Sequence, residues 1–139
     1  TFDRAHAIRA VLEGEATFYQ YRAAVPLLGL DIGTIDFRGA LSERLREDIG
    51  DAFYADTPIG ASYNTFPYGW GAPLAFETWL ADGGPRGLDA LWASPPNTTQ
   101  QVISLRPELP SQLATNHGPE PQTRYGAPWL RFGFGHCWG

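Results

Sequence analysis

Two glutamates flank a glycine in the segment EGEAT, residues 13–17. Glu13 and Glu15 are two residues apart, and residues at this spacing do not face each other on a helix. A paired-carboxylate mechanism of the glycosidase kind is therefore not indicated. Glu13 alone is either a solvated surface carboxylate or a ligand position. Gly14 favours the second interpretation, because a residue without a side chain lets another helix or a metal site approach the backbone.

The histidines do not complete a metal site around Glu13. The chain has three of them, and no two are four residues apart, so the zinc-binding pattern HExxH is absent: His6, His117 and His136. His6 precedes Glu13 by seven residues, which is about 10 Å along a helix axis. Both side chains therefore cannot lie about 2 Å from one zinc ion.

Two further residues, Tyr68 and Cys137, have side chains that could take part in catalysis. Tyr68 follows Pro67, a typical first residue of a helix, and its hydroxyl can stabilise an oxyanion. A core or interface aromatic is the simpler interpretation of Tyr68. Cys137 is the only cysteine, so the chain has no intrachain disulfide. A nucleophilic Cys137 beside His136 is not favoured, because adjacent residues rarely have the required geometry.

The elements that must position these residues are helices. Apolar residues recur every three or four positions over residues 3–28 and predict a long helix with Asp3 as its N-cap: Ala7, Ala10, Val11, Gly14, Phe18, Tyr21 and Val25. Residues 38–56 predict a second, amphipathic helix. Its expected apolar face is Leu41, Leu45, Ile49, Ala52 and Phe53, and its expected solvated face is Glu43, Arg44, Arg46, Glu47 and Asp48.

Shorter helices follow a brief segment at 58–66. Pro67 predicts a helix start, and Gly83 its C-terminal cap. Pro85 predicts another helix that the prolines at 95 and 96 stop, and Asn97 or Thr98 caps one or two final turns. The fold class is therefore mainly α, a single irregular helical domain over 1–110. Residues 111–139 are predicted to form an extended arm rich in proline, glycine and aromatic residues.

The composition of the chain limits the classes of partner that it is expected to bind. The chain has 139 residues, a net charge of -5 and no run of basic residues, which argues against nucleic acid. It has no apolar stretch near the ~20 residues of a membrane span. It contains no methionine, so Thr1 is not an initiator position. We therefore expect the chain to be processed, excised or part of a longer protein.

Several motifs occur in the order found in one bacterial family. They are Glu13-Gly14-Glu15-Ala16, Pro67-Tyr68 with Gly71 and Phe76, Gly83-Gly84, Asp89-Ala90-Leu91, Pro95-Pro96, Thr98-Thr99-Gln100-Gln101-Val102 and Pro107-Glu108. This series resembles the C-terminal half of zinc-metallopeptidase-like proteins of the gluzincin type. It departs from them in lacking HExxH and in having Arg106 where the family usually has histidine.

The resemblance implies roles for specific residues. Glu13 would be the third protein ligand of a zinc ion whose two histidine ligands lie upstream of Thr1. Glu15 would support the site without binding metal, and Tyr68 would be a catalytic hydroxyl. The chain would bind peptide substrates only together with its upstream segment or another subunit, would be inactive alone, and would be extracytoplasmic or secreted.

The missing HExxH has two explanations. The chain is either the C-terminal product of a longer peptidase or a degenerate relative that keeps the fold without zinc. The second leads to a different function, a non-catalytic helical interaction subunit that packs on a partner protein. In either case Val11, Gly14 and Phe18 are expected to lack part of their cover within this chain.

Overall fold

A computed structural model of the chain describes residues 2–109. This part contains six α-helices, one 3₁₀ turn at Ile32–Thr34 and no strand. The helices are α1 (Phe2–Leu27), α2 (Phe37–Phe53), α3 (Pro58–Gly69), α4 (Gly71–Ala81), α5 (Pro85–Ala93) and α6 (Thr99–Ile103). The predicted mainly α class is confirmed. The predicted arm at 111–139 lies outside the described residues.

Helix α1 is the centre of the fold, since it contacts α3, α4, α5 and α6. Its predicted apolar face is buried, mostly to below 2% exposure: Ala7, Ala10, Val11, Phe18 and Val25. The expectation that Val11 and Phe18 lack cover is wrong, because each is 1% exposed. Val11 packs with Phe66, Leu74, Leu91 and Val102, so helices α3 to α6 of the same chain supply the cover.

Helices α1 and α4 cross at a pair of glycines. A Cβ atom added to Gly14 would lie 2.1 Å from the backbone carbon of Gly71, and one added to Gly71 would lie 2.0 Å from the carbonyl oxygen of Ala10. Cβ atoms do not occur at such distances from backbone, so only glycine fits on either side of this crossing. The partner that Gly14 admits is therefore α4 of this chain.

Asp3 does not cap α1, contrary to the prediction. It lies in the first turn of α1, is 4% exposed, and its Oδ1 accepts a hydrogen bond of 3.0 Å from the backbone N–H of Thr99. That N–H belongs to the first turn of α6, where helix N–H groups have no partner within the helix. Thr98 caps α6 as predicted, in a capping box with Gln101. Both ends of the described chain are thus joined.

Helix α2 turns a different face inward from the predicted one. Leu41 and Ala52 are 3% exposed, as expected, but Ile49 is 52% and Phe53 is 71% exposed. Asp48, predicted on the solvated face, is buried at 8%. The reason is that α2 packs on α3 and α4 and has no Cα atom within 8 Å of α1, so its buried stripe is narrower than its apolar composition suggests.

The predicted helix start at Pro67 is also wrong. A helix already begins at Pro58, and Pro67 lies in its last turns, two residues before α3 ends at Gly69. Pro58 occupies the N1 position that was assigned to Pro67. Helix α4 ends as predicted, because Gly83 has φ +70° and Gly84 N–H donates to the carbonyl of Trp79 at 2.8 Å.

Candidate functional site

Glu13 and Tyr68 meet at one surface through Arg9. Glu13 Oε1 lies 3.6 Å from Arg9 Nε, one turn earlier on α1, and the Glu13 side chain is 27% exposed. Tyr68, at the end of α3, lies close enough to the Arg9 guanidinium to interact with it. This interaction is the main reason why the pKa of Arg9 is raised, and Glu13 adds to it. The structure therefore brings together two of the residues that the sequence singled out.

Glu15 lies apart from this surface and has a different partner. Its Oε2 accepts a hydrogen bond from Nε1 of Trp92 on α5. The carboxylate thus joins α1 to α5. Trp92 is 40% exposed, so this hydrogen bond lies at the surface.

His6 is unavailable to a ligand. It is 3% exposed and its ring stacks on Tyr63 at 4.0 Å between centroids and on Phe66 at 4.8 Å. Its Nδ1 has no hydrogen-bond partner among the described residues. Burial lowers the pKa of His6 below 6.5, the nearby charge of Arg9 lowers it further, and Asp3 opposes both.

The described residues do not fit a zinc ion by themselves. Between residues 2 and 109, no three histidine, cysteine, aspartate or glutamate side chains are placed so that they could hold a metal. Structural and catalytic zinc sites take at least three protein ligands. Glu13 can contribute one of them, and the others would have to come from outside this part of the chain.

A cleft opens between α1 and α2, beside Tyr68. Its volume is about 460 Å³. Helix α1 lines one wall with Thr17, Gln20, Tyr21 and Ala24; α2 lines the other with Leu41, Arg44 and Asp48; Tyr68, Gly69, Ala72 and Pro73 from the junction of α3 and α4 complete it. Ligand pockets are commonly ~300–1,000 Å³. Tyr68 is thus shared between the cleft and the surface around Glu13.

An ion pair lies in the α2 wall of this cleft. Arg44 Nη2 is 2.9 Å from Asp48 Oδ1, one turn along the helix, and the two side chains are 55% and 11% exposed. The charge of Asp48 is the main reason why the pKa of Arg44 is raised. Sequence reasoning missed this pair. The signal was available in the spacing of Leu41, Leu45, Asp48 and Ala52, which places Asp48 on the buried face of α2.

No protein family, curated protein or solved structure that the chain was compared with matches it. Within residues 2–109, no helix has the length and apolar character needed to cross a membrane.

Proposed function

We propose that this chain forms the glutamate side of a zinc-peptidase site of the gluzincin kind, with Glu13 as one metal ligand. Two histidine ligands would come from an upstream segment or another subunit. The observation that carries the proposal is the meeting of Glu13 and Tyr68 at one partly exposed surface, although they are 55 residues apart in the chain.

The helix crossing supports this arrangement by fixing the two residues relative to each other. Glu13 is next to Gly14, and Tyr68 precedes Gly71 by three residues. Contact between the two glycine backbones leaves little freedom for either helix to slide. A site whose groups come from separate helices needs this kind of support, because misplacement by about 1 Å is costly.

The proposed roles of the chain's own residues follow from charge and reach. Arg9 balances the carboxylate of Glu13 while no other cation is bound, and a metal would displace it from that carboxylate. The Tyr68 hydroxyl would donate a hydrogen bond to the carbonyl oxygen of a bound peptide. Glu15, held by Trp92, would keep α5 in place beside the site rather than bind metal. Zinc, when bound, would supply Lewis-acid chemistry.

Zinc content and peptide hydrolysis of the protein as its gene encodes it test the proposal. We expect zinc in the wild type, and at least a tenfold loss of zinc affinity and of activity in Glu13→Gln. Glu15→Gln is the matched control on the same helix, and should retain zinc because glutamine still accepts the bond from Trp92. Protein without zinc, or Glu13→Gln with wild-type zinc, would contradict the assignment of Glu13.

A second candidate function is favoured by the Arg9–Glu13 pair itself. Paired in this way, Glu13 is a structural carboxylate, and the chain is a non-catalytic helical interaction subunit. The exposed Ile49, Phe53 and Ile59 of α2 and α3 would then contribute to a partner surface. In this case the gene-encoded protein binds no zinc, and Glu13→Gln changes only its stability.

A further inference from the structure

The α1–α2 cleft has the shape of an open groove. Its walls are separated, since α1 and α2 do not approach within 8 Å at any pair of Cα atoms, although the rings of Phe18 and Phe37 join the two helices at 6.2 Å between centroids. Its floor is made of the small residues Gly69 and Ala72 with Pro73. The groove follows α1 from Thr17, one turn beyond Glu13, to Ala24.

Neutral hydrogen-bonding groups line this groove. They are Thr17, Gln20 and Tyr21 on one wall and Tyr68 at the floor. The Thr17 hydroxyl donates to the carbonyl of Glu13 at 2.7 Å, which leaves its oxygen free to accept from a ligand. Together these groups can both donate to and accept from peptide amides.

Arg44 is the one basic side chain among the residues that line the groove. Asp48 is mostly buried and holds the guanidinium at 2.9 Å, whereas the Arg44 side chain is 55% exposed. The charged group that a ligand in the groove can reach is therefore the guanidinium of Arg44. A guanidinium has five N–H donors in a planar fork that matches a carboxylate, so Arg44 can bind a second carboxylate while it remains paired with Asp48.

We propose that this groove binds the carboxyl-terminal end of a short linear peptide, with the terminal carboxylate on Arg44. Arg44 and Tyr21 line opposite walls of the groove, and Tyr21 follows Glu13 by eight residues, or about 12 Å along α1. An extended peptide covers this length with three or four residues at ~3.3–3.6 Å each. The peptide's identity as a substrate rests on the proposed function, but its binding requires no metal.

The proposal is tested by titrating the 139-residue chain with a tetra-alanine peptide and measuring the binding by calorimetry. The peptide is acetylated at its amino end and carries either a free carboxylate or an amide at the other end. We expect the free acid to bind at least tenfold more tightly than the amide. Equal binding of the two peptides, or no binding of either, overturns the proposal, and it does so without bearing on whether Glu13 binds zinc.

Variants locate the site. Arg44→Gln should remove the preference for the free acid, and Arg44→Lys should reduce it, because lysine keeps the charge but lacks the fork. Arg46→Gln is the matched control, since Arg46 is on the same helix, pairs with Glu43 and does not line the groove. If Arg44→Gln fails to fold, Gln20→Trp on the exposed rim should block both peptides. An equal effect of Arg46→Gln, or full binding by Gln20→Trp, refutes the location.

Discussion

Replacement of Gly14 by alanine tests the helix crossing on which the site depends. The new Cβ would lie 2.1 Å from the backbone carbon of Gly71 and 2.3 Å from its carbonyl oxygen. Carbon atoms in contact are about 3.5–4.0 Å apart, so the helices must separate by more than about 1 Å. No side-chain rotation can relieve the clash, because both obstructing atoms belong to the backbone.

The magnitude follows from two opposing effects. Overpacking of this kind costs about 1–3 kcal/mol, and separation also loosens Ala10 and Leu74, both 0% exposed. Alanine favours a helix over glycine by about 1 kcal/mol, which opposes the loss. We expect the free energy of unfolding to fall by about 2 kcal/mol in Gly14→Ala, as measured by urea denaturation.

Gly50→Ala is the matched control for this experiment. Gly50 is also within a helix, α2, but a Cβ there would have no atom within 4 Å. The same substitution should therefore raise the free energy of unfolding, by up to about 1 kcal/mol. If Gly14→Ala is as stable as the wild type or more stable, the close crossing is refuted.

Two further predictions concern buried polar groups. Because the pKa of His6 is lowered in the folded chain, unfolded His6 takes up a proton first as the pH falls. The free energy of unfolding, measured by urea denaturation, should therefore decrease below pH 6.5. His6→Phe keeps an aromatic ring at this position and should weaken that pH dependence. Identical pH profiles of the wild type and the variant would contradict the role of His6. Thr98→Ala should lower the free energy of unfolding by about 1 kcal/mol through loss of the capping box. Thr57→Ala is its control, because Thr57 precedes α3 without a side-chain capping bond, and an equal loss in both variants would refute the role of the cap.

The sequence predicted best the elements whose signals are local. Helix α1 was placed within one residue at each end, because its apolar positions recur regularly along one face. Thr98 and Pro85 marked their helix starts because caps and N1 prolines act within a single turn. The start of α3 was missed because Pro67 gives the same local signal as Pro58, and only tertiary packing decides which proline begins a helix.

The candidate site was harder to predict from the sequence, since it depends on contacts between elements that are distant in the chain. Gly14 indicated a close approach but could not identify Gly71 as the partner. The meeting of Tyr68 with Arg9 follows from that crossing. The burial of Asp48 and the exposure of Phe53 are set by where α3 and α4 lie against α2, which periodicity alone does not specify.

The glycine crossing also imposes an order on the synthesis of the chain. Gly71 follows Gly14 by 57 residues, so α1 leaves the ribosome long before the helix that covers it. At about 5–20 residues per second, this interval lasts roughly 3–11 seconds. Throughout it, the apolar face around Val11 has no native partner from α4. The nascent chain must therefore keep α1 from aggregating until α4 is synthesised, and in that interval the apolar face of α1 is in contact with water or a chaperone.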